Sequence, residues 1–335
     1  MAEMTGESRL HFAVLGSFRV DRHGRELDPG PRLQRALLAI LVVEAGHVVP
    51  VDRLIDLLWR DEPPAAAIAS VQAYISQLRR VLEPGRPARA PAQVLVTQDP
   101  GYVLRAADDQ VDALRFQALA RQAHNDLADG QPAAAAAGLE EAFVLWRGDP
   151  LAEFASEPWA VPVVARLVEA HDLAAEDLID ARLALGRHAQ AAAELEAMVE
   201  ARPLRERRWA QLIIATYRCG RQADALRAYQ RCRTVLAGEL GLEPGPELRR
   251  LEAAVLAQDP SLGWHPAAAA AAVPPDAAPG AAGPHPVESR PAEEPPVLFL
   301  VGRNPELAHL RNRLRHAASG QGGATVLVGE PGAGK

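Results

Sequence analysis

The sequence predicts a mainly α-helical chain that begins with a small α+β domain. Apolar residues make up 48% of the chain but aromatic residues only 4%, and Ala supplies much of the apolar count. This composition favours helices because Ala has the highest helix propensity. From residue 112 to 258 the apolar residues keep helical spacing, whereas β-like segments are concentrated in the first 105 residues. A chain of 335 residues has room for two or three domains.

The elements of the N-terminal part follow one another closely. After a disordered tip at residues 1–8, residues 10–20 are β-like, with one turn at Gly16 and another at residues 22–24. This pattern is typical of strands joined by turns. Apolar spacing, with Pro and Gly at the ends, then predicts three helices, at residues 31–45, 52–59 and 65–82. A β-hairpin is predicted last, for residues 93–97 and 102–105 around Asp99-Pro100-Gly101.

The third helix has the two faces that a DNA-reading helix requires. One face is an apolar stripe of Ile68, Val71, Ile75, Leu78 and Leu82. The other has no acid before Glu83, and its residues are Ser70, Ala73, Ser76, Gln77 and Arg80, with Arg79 at the margin. Gln pairs with adenine and Arg with guanine in the major groove. An ordinary amphipathic helix is the alternative, but three helices followed by a hairpin is the winged helix-turn-helix order.

Charge is distributed as expected if only one part of the chain binds DNA. The whole chain carries a formal charge of −7, which argues against a generally basic protein that coats nucleic acid. Residues 70–105 nevertheless contain five Arg against Glu83 and Asp99. A local positive patch on an acidic protein fits a DNA-reading domain whose other parts repel DNA.

Residues 112–258 contain an internal repeat. The pattern Gly-Arg-x-Ala occurs at Gly186 and again at Gly220, a separation of 34 residues that equals the tetratricopeptide period. Two units are too few for a free-standing solenoid, so the flanking helices are expected to cap them. The charged runs of this part are expected to be solvated faces, namely Glu153, Glu157, Arg205, Arg207 and Arg208.

The C-terminal part predicts a linker and the start of a nucleotide-binding domain. Residues 261–296 are rich in Pro and Ala and favour a semi-extended linker. Residues 297–328 predict a strand, a helix and a second strand, which lead into a G-x-x-x-x-G-K phosphate-binding loop formed by Gly329, Gly332, Gly334 and Lys335. The sequence shows neither the Ser or Thr that would hold Mg²⁺ nor a Walker B acid. We therefore expect an incomplete ATPase site and no cofactor for this chain, with ATP and Mg²⁺ belonging to a longer parent protein.

The sequence contains no pattern expected of an enzyme or a metal site. We therefore expect no catalytic residue and no metal ligand. Cys219 and Cys232 do not form a disulfide framework and are expected to be small buried residues. The N-terminus lacks a signal-peptide pattern, and no apolar run approaches the length of a membrane span, so we expect a cytoplasmic protein that acts at the bacterial nucleoid and has no membrane partner.

Three separated motifs resemble those of the Streptomyces antibiotic regulatory proteins. They are residues 71–82 (VQAYISQLRRVL), 97–102 and 242–248 (LEPGPEL). In this family an OmpR/PhoB-type winged helix precedes a tetratricopeptide-like bacterial transcriptional activation domain. Large members continue into a STAND-type (NB-ARC) ATPase domain. Residues 301–307 of this chain resemble the entry to that domain. The resemblance implies a disordered tip at 1–8, a winged helix at 9–108, a helical domain at 109–260, a linker at 261–296 and a truncated ATPase start at 297–335.

The resemblance also implies roles for individual residues. Contacts to backbone phosphate are implied for Trp59 and Ser70, and for Thr97 and Tyr102 on the hairpin. Arg79 and Arg80 would contact phosphate or the groove edge. Gln77 occupies the position that often reads a base, and Ala73 and Ser76 belong to the same DNA-binding face. Gln77 departs from the family, because Arg is common at this position in relatives. The hairpin residue Gln98 also departs, because it lacks the Arg that can enter the minor groove.

The function implied is a sequence-specific transcriptional activator of secondary-metabolite (antibiotic) genes. It would bind direct repeats in promoter DNA as a homodimer and recruit RNA polymerase holoenzyme. Two alternatives stay open from the sequence. One is an ATP-responsive STAND-type signalling regulator whose switch domain is missing here. The other is a helical-repeat scaffold for protein interaction, against which the basic segment at residues 70–105 argues.

Overall fold

An antiparallel meander opens the chain in this computed structural model, which describes residues 10–87 and 89–264. Its strands are β1 (Leu10–Ala13), β2 (Arg19–Arg22) and β3 (Arg25–Leu27), paired in that order. Leu10, Phe12 and Val20 turn inward and are at most 3% exposed. The predicted break at Gly16 separates β1 from β2, and a turn after Arg22 separates β2 from β3.

Three helices and a second small sheet follow the meander. The helices are α1 (Arg32–Val43), α2 (Val51–Trp59) and α3 (Ala67–Leu82). The hairpin of β5 (Leu95–Gln98) and β6 (Gly101–Leu104) forms the wing, and β4 (Val49–Pro50) pairs with the outer side of β6. Thr97 faces Tyr102 across the hairpin, and Gln98 faces Gly101. The predicted winged helix-turn-helix order is confirmed.

The buried stripe of α3 differs from the prediction at its first residue. Val71, Ile75, Leu78 and Leu82 are at most 2% exposed, but Ile68 is 55% exposed. The inward position of the first turn belongs to Ala67, which lies four residues before Val71 and is buried. Ile68 is rotated by about 100° from Ala67 and therefore points away from the core.

Seven helices build the second part of the described chain. Six of them form three hairpins, which are α4 (Asp112–Ala128) with α5 (Pro132–Val144), α6 (Val161–Ala184) with α7 (His188–Ala201), and α8 (Glu206–Arg218) with α9 (Gln222–Leu240). The last, α10 (Pro246–Ala257), packs against α8 and α9. The mainly α-helical fold class is confirmed. No helix in the described ranges is long and apolar enough to cross a membrane.

The three hairpins turn in the same way. Gly130, Gly186 and Gly220 have φ of 71°, 79° and 77°, a left-handed conformation that favours glycine. At each turn the glycine N–H donates to the carbonyl three residues back, and the next N–H donates to the carbonyl five residues back. The turn at Gly130 is a third copy that the repeat pattern did not reveal, because Gln131 stands where the other two turns have Arg.

The meander is joined to the helical part by main-chain contacts. The Asp112 carboxylate, at the start of α4, accepts hydrogen bonds from the N–H groups of Val14 (2.8 Å) and Leu15 (3.0 Å). The Arg147 guanidinium lies 3.2 Å from the same carboxylate, and its main-chain N–H donates to the Leu15 carbonyl. One hydrophobic core runs without interruption from β1 into α6.

Glu153 and Glu157 do not form the solvated face that the sequence predicted. Glu157 pairs with Arg32 of α1 at 2.6 Å, and Glu153 pairs with Arg35 of the same helix. The Arg32 guanidinium also lies 5.9 Å from the centre of the Phe154 ring. These carboxylates therefore fix the loop before α6 against the winged helix.

The arginine run at the start of α8 is also not simply a solvated face. Arg208 is 2% exposed and donates to Glu176 (3.0 Å) and Asp172 (2.7 Å) of α6. Arg205 donates to the same Glu176 carboxylate at 2.6 Å. Only Arg207 keeps substantial exposure, with 41% of its side chain accessible. The run holds α8 against α6 because each buried charge has an opposite charge beside it.

The two cysteines are free thiols in different surroundings. Cys232 is buried in α9, as expected, and burial raises its pKa to about 12, so the thiol stays protonated and unreactive. Cys219 is exposed, so its predicted burial is wrong. It caps the end of α8 beside the Gly220 turn, where the chain leaves the core.

Candidate nucleic-acid interface

The exposed face of α3 carries short polar or apolar side chains and one long cation. The exposed residues after Ile68 are Ala69, Gln72, Ala73, Ser76, Gln77 and Arg80. Four of them were predicted from the sequence, while Ala69 and Gln72 were missed. Helical spacing could have identified both, because each lies four residues before a predicted position. Small residues at Ala69, Ala73 and Ser76 let a helix backbone approach base edges, and Gln77 and Arg80 bring the donors that read them.

The acid nearest to this face is turned away from it. The Glu83 carboxylate accepts hydrogen bonds from the main-chain N–H groups of Gln93 and Val94, both at 2.6 Å. Arg86 lies 3.2 Å from it, and only 10% of the Glu83 side chain is exposed. Its charge is thus neutralised at the base of the wing. The α3 face presents no carboxylate that would repel a phosphate backbone.

Arg22 of β2 fixes the other side of the same helix end. Its guanidinium donates to the main-chain carbonyl of Leu82, the last residue of α3. A cation is favourable there because the carbonyls at a helix C-terminus lack partners within the helix and carry partial negative charge. The meander therefore holds the end of α3, and the base of the wing is fixed beside it.

Arg79 binds the wing instead of pointing freely outward. Its Nε donates to the Leu95 carbonyl and its Nη2 to the Thr97 hydroxyl, both at 2.7 Å. The guanidinium also lies 5.9 Å from the centre of the Tyr102 ring. Burial lowers the pKa of Arg79 from its ordinary value, but an Arg side chain still stays charged. The sequence placed Arg79 at the margin of the reading face, and the structure brings it together with Thr97 and Tyr102.

The wing exposes two of its predicted DNA contacts. Thr97 and Gln98 are exposed near the tip of the hairpin, whereas Tyr102 is 7% exposed beneath Arg79. Position 101, directly after the turn, is occupied by glycine because a side chain does not fit there. An added Cβ would lie 1.9 Å from the Val49 carbonyl oxygen of β4.

Trp59, the last residue of α2, packs against the same flank of α3 that carries Ser70. The half-buried Trp59 ring stacks on Tyr74 of α3 with ring centres 6.4 Å apart and an angle of 24° between the planes. The Ser70 hydroxyl donates to the Ala66 carbonyl at 3.1 Å. Both side chains border the reading face, where phosphate contacts are expected.

The predicted nucleotide-binding loop is not among the residues that the structure describes. Gly329, Gly332, Gly334 and Lys335 lie outside the described residues, as do the linker and the elements predicted around the loop. Among the described residues, no group of three or more His, Cys, Asp or Glu side chains could hold a metal ion.

Two family models match this chain. "Transcriptional regulatory protein, C terminal" matches residues 26–104. "Bacterial transcriptional activator domain" matches residues 111–256. The first range contains α1 to α3 and the wing, and the second contains the three helical hairpins and all but the last residue of α10.

Curated relatives match over about three quarters of the chain. Regulatory protein AfsR of Streptomyces coelicolor is 41% identical over 78% of this chain and 26% of its own length. Transcriptional regulatory protein EmbR of Mycobacterium tuberculosis is 40% identical over 76% of this chain and 66% of its own length. Regulatory protein DnrI of Streptomyces peucetius is 36% identical over 76% of this chain and 94% of its own length. The chain thus spans only a part of AfsR and EmbR but nearly all of DnrI.

A solved structure shows the same architecture. It is that of Mycobacterium tuberculosis EmbR in complex with a low-affinity phosphopeptide, with a TM-score of 0.72 and 39% identity over 76% of this chain and 66% of that chain. The two family models, the near full-length match to DnrI and this structural likeness agree. The chain belongs to the Streptomyces antibiotic regulatory protein family of transcriptional regulators.

Proposed function

We propose that this chain is a sequence-specific DNA-binding transcriptional activator. The observation that carries the proposal is the exposed face of α3, which combines Gln77 and Arg80 with small neighbours while Glu83 is turned away. An α-helix with such a face fits the major groove and offers donors for adenine, guanine or phosphate. The wing beside it supplies Thr97 and Gln98 for the adjoining backbone. Trp59 and Ser70 supply contacts on the opposite flank.

We further propose that the chain binds direct repeats in promoter DNA as a homodimer and recruits RNA polymerase holoenzyme. Membership of the family supports both statements, and so does the presence of a helical domain joined firmly to the winged helix. The genes controlled would belong to secondary-metabolite (antibiotic) biosynthesis. The protein would act in the cytoplasm, at the nucleoid, and would not be an enzyme.

The proposal is tested by selecting bound sites from a random DNA pool, followed by transcription in vitro. We expect the selected pool to converge on two repeats of one short motif, bound by two chains. Purified RNA polymerase holoenzyme should then transcribe a promoter that carries the repeats only when the protein is added. A pool that does not converge would contradict sequence-specific binding. Convergence without stimulated transcription would contradict the activator role alone.

For the nucleotide alternative we propose that this chain takes no cofactor. The G-x-x-x-x-G-K run at Gly329–Lys335 has the spacing of a phosphate-binding loop, and this spacing alone carries the nucleotide alternative. Titration with a fluorescent ATP analogue and Mg²⁺ should show no saturable binding. A micromolar dissociation constant would contradict this proposal and would favour the ATP-responsive signalling alternative.

A further inference from the structure

A groove separates α1 and α2 of the winged helix from the start of α6. Its volume is about 750 Å³, within the range of about 300–1,000 Å³ that is usual for small-molecule sites. Such sites are also common between domains. The floor is apolar, with Ile40, Val43 and Leu57 on the winged-helix side and Trp159 and Val163 on the other. The Trp159 ring is held against Phe154, with ring centres 5.6 Å apart.

Three arginines at this groove have no partner among the residues that the structure describes. Arg53 lies in α2, Arg60 directly follows α2 and Arg166 lies in α6, so cations line both walls. Within the described residues none of the three side chains makes a hydrogen bond or an ion pair. Two carboxylates, Glu44 and Asp56, also line the groove, and they too are unpaired within those residues. The cations outnumber the acids, and the groove therefore favours a ligand with negative charge.

A second groove of similar size lacks this property. It has a volume of about 650 Å³ and lies between α6 and the α7–α8 loop. Its arginines are already neutralised, since Arg205 pairs with Glu169 at 2.8 Å and Arg202 with Asp172 at 3.4 Å. It is the natural control, because it too is lined mostly by apolar residues but its arginines, Arg202 and Arg205, are paired.

We propose that the groove between α2 and α6, defined by Arg53, Arg60, Arg166 and Trp159, binds a small organic anion with a flat apolar body. The body would lie on the Trp159 ring and the aliphatic floor, and the carboxylate, sulfonate or phosphate group would meet the guanidinium groups. A groove of this volume admits a small molecule but not a DNA duplex. Binding of such an anion does not require that the protein also binds DNA.

The probe for this site is 8-anilinonaphthalene-1-sulfonate, an aromatic anion whose fluorescence rises in apolar surroundings. We expect the full chain to bind it at one saturable site. Arg53→Gln and Arg166→Gln should each weaken binding by about threefold to fivefold, because each removes one exposed charge contact. N-phenyl-1-naphthylamine, which has the same rings without the sulfonate, should bind both variants as it binds the unmodified chain.

Two further variants show which of the two grooves binds the sulfonate. Pro162→Glu changes an exposed residue of the proposed groove and should abolish sulfonate binding. Leu204→Glu changes an exposed residue of the second groove and should leave sulfonate binding unaltered. Circular dichroism of each variant checks that it is folded. Absence of saturable binding, equal binding by the arginine variants, or loss on Leu204→Glu but not on Pro162→Glu would each overturn the proposal.

Discussion

Arg79→Met tests the structural role of the arginine that binds the wing. The substitution keeps an unbranched side chain but removes the donors to the Leu95 carbonyl and the Thr97 hydroxyl, both at 2.7 Å, and the cation above Tyr102. Hydrogen bonds that involve a charged group contribute about 1.5–3 kcal/mol each. Because the guanidinium is partly exposed, about 1 kcal/mol for each bond is more appropriate. We expect the free energy of unfolding to fall by about 2 kcal/mol.

The assay is urea denaturation of the full chain, together with a double-mutant cycle that includes Thr97→Val. The cycle should give a coupling energy of about 1 kcal/mol between Arg79 and Thr97. DNA affinity should fall as the wing loosens, but its salt dependence should not change, because no phosphate-bound cation is lost. Unchanged stability with a reduced salt slope would refute this reasoning and make Arg79 a phosphate contact.

Three further predictions concern single positions. Gly101→Ala should destabilise the chain by about 1–3 kcal/mol, because the new methyl group meets β4, whereas Gly85→Ala, which meets nothing within 4 Å, serves as the control; urea denaturation measures both. Gln98→Arg adds a cation at the exposed wing tip and should steepen the dependence of DNA affinity on salt by about one phosphate equivalent, measured by fluorescence anisotropy. Burial against the rings of Phe143 and Trp146 lowers the pKa of His171, so the unfolded chain takes up this proton first and stability falls as the pH drops below about 6.5. His171→Leu should therefore lose less stability than the unmodified chain between pH 7.5 and 5.5 in the same denaturation assay.

Apolar periodicity predicted the elements of the winged helix because each helix buries one continuous face. The prediction of the inward residues of α3 from Val71 onward is confirmed, since their spacing alone determines which face is buried. The same periodicity predicts that Ile68 lies on this face, because it is large and apolar and lies three residues before Val71. The structure gives that place to Ala67, and Ile68 is exposed. Apolar size alone did not determine which residue of the first turn points inward.

The contacts that organise the candidate site could not be predicted in this way. Glu83 and Arg79 have partners 10 to 18 residues away on the wing. Glu153 has its partner Arg35 at a separation of 118 residues. Sequence patterns report the spacing of neighbours along one element, whereas these pairs depend on how separate elements pack. The charged run at Glu153 and Glu157 therefore looked solvated.

The claim that the exposed face of α3 reads DNA is tested most directly by comparing Gln77→Ala and Arg80→Ala on the selected site and on its single-base variants. Arg227→Ala, a change of a 74% exposed arginine on α9, is the control. We expect Gln77→Ala to lose about 1–3 kcal/mol of discrimination at one base pair. Arg80→Ala should weaken binding to all sequences and lower the salt slope by about 0.9. If both variants bind every sequence as the Arg227→Ala control does, α3 is not the helix that reads DNA.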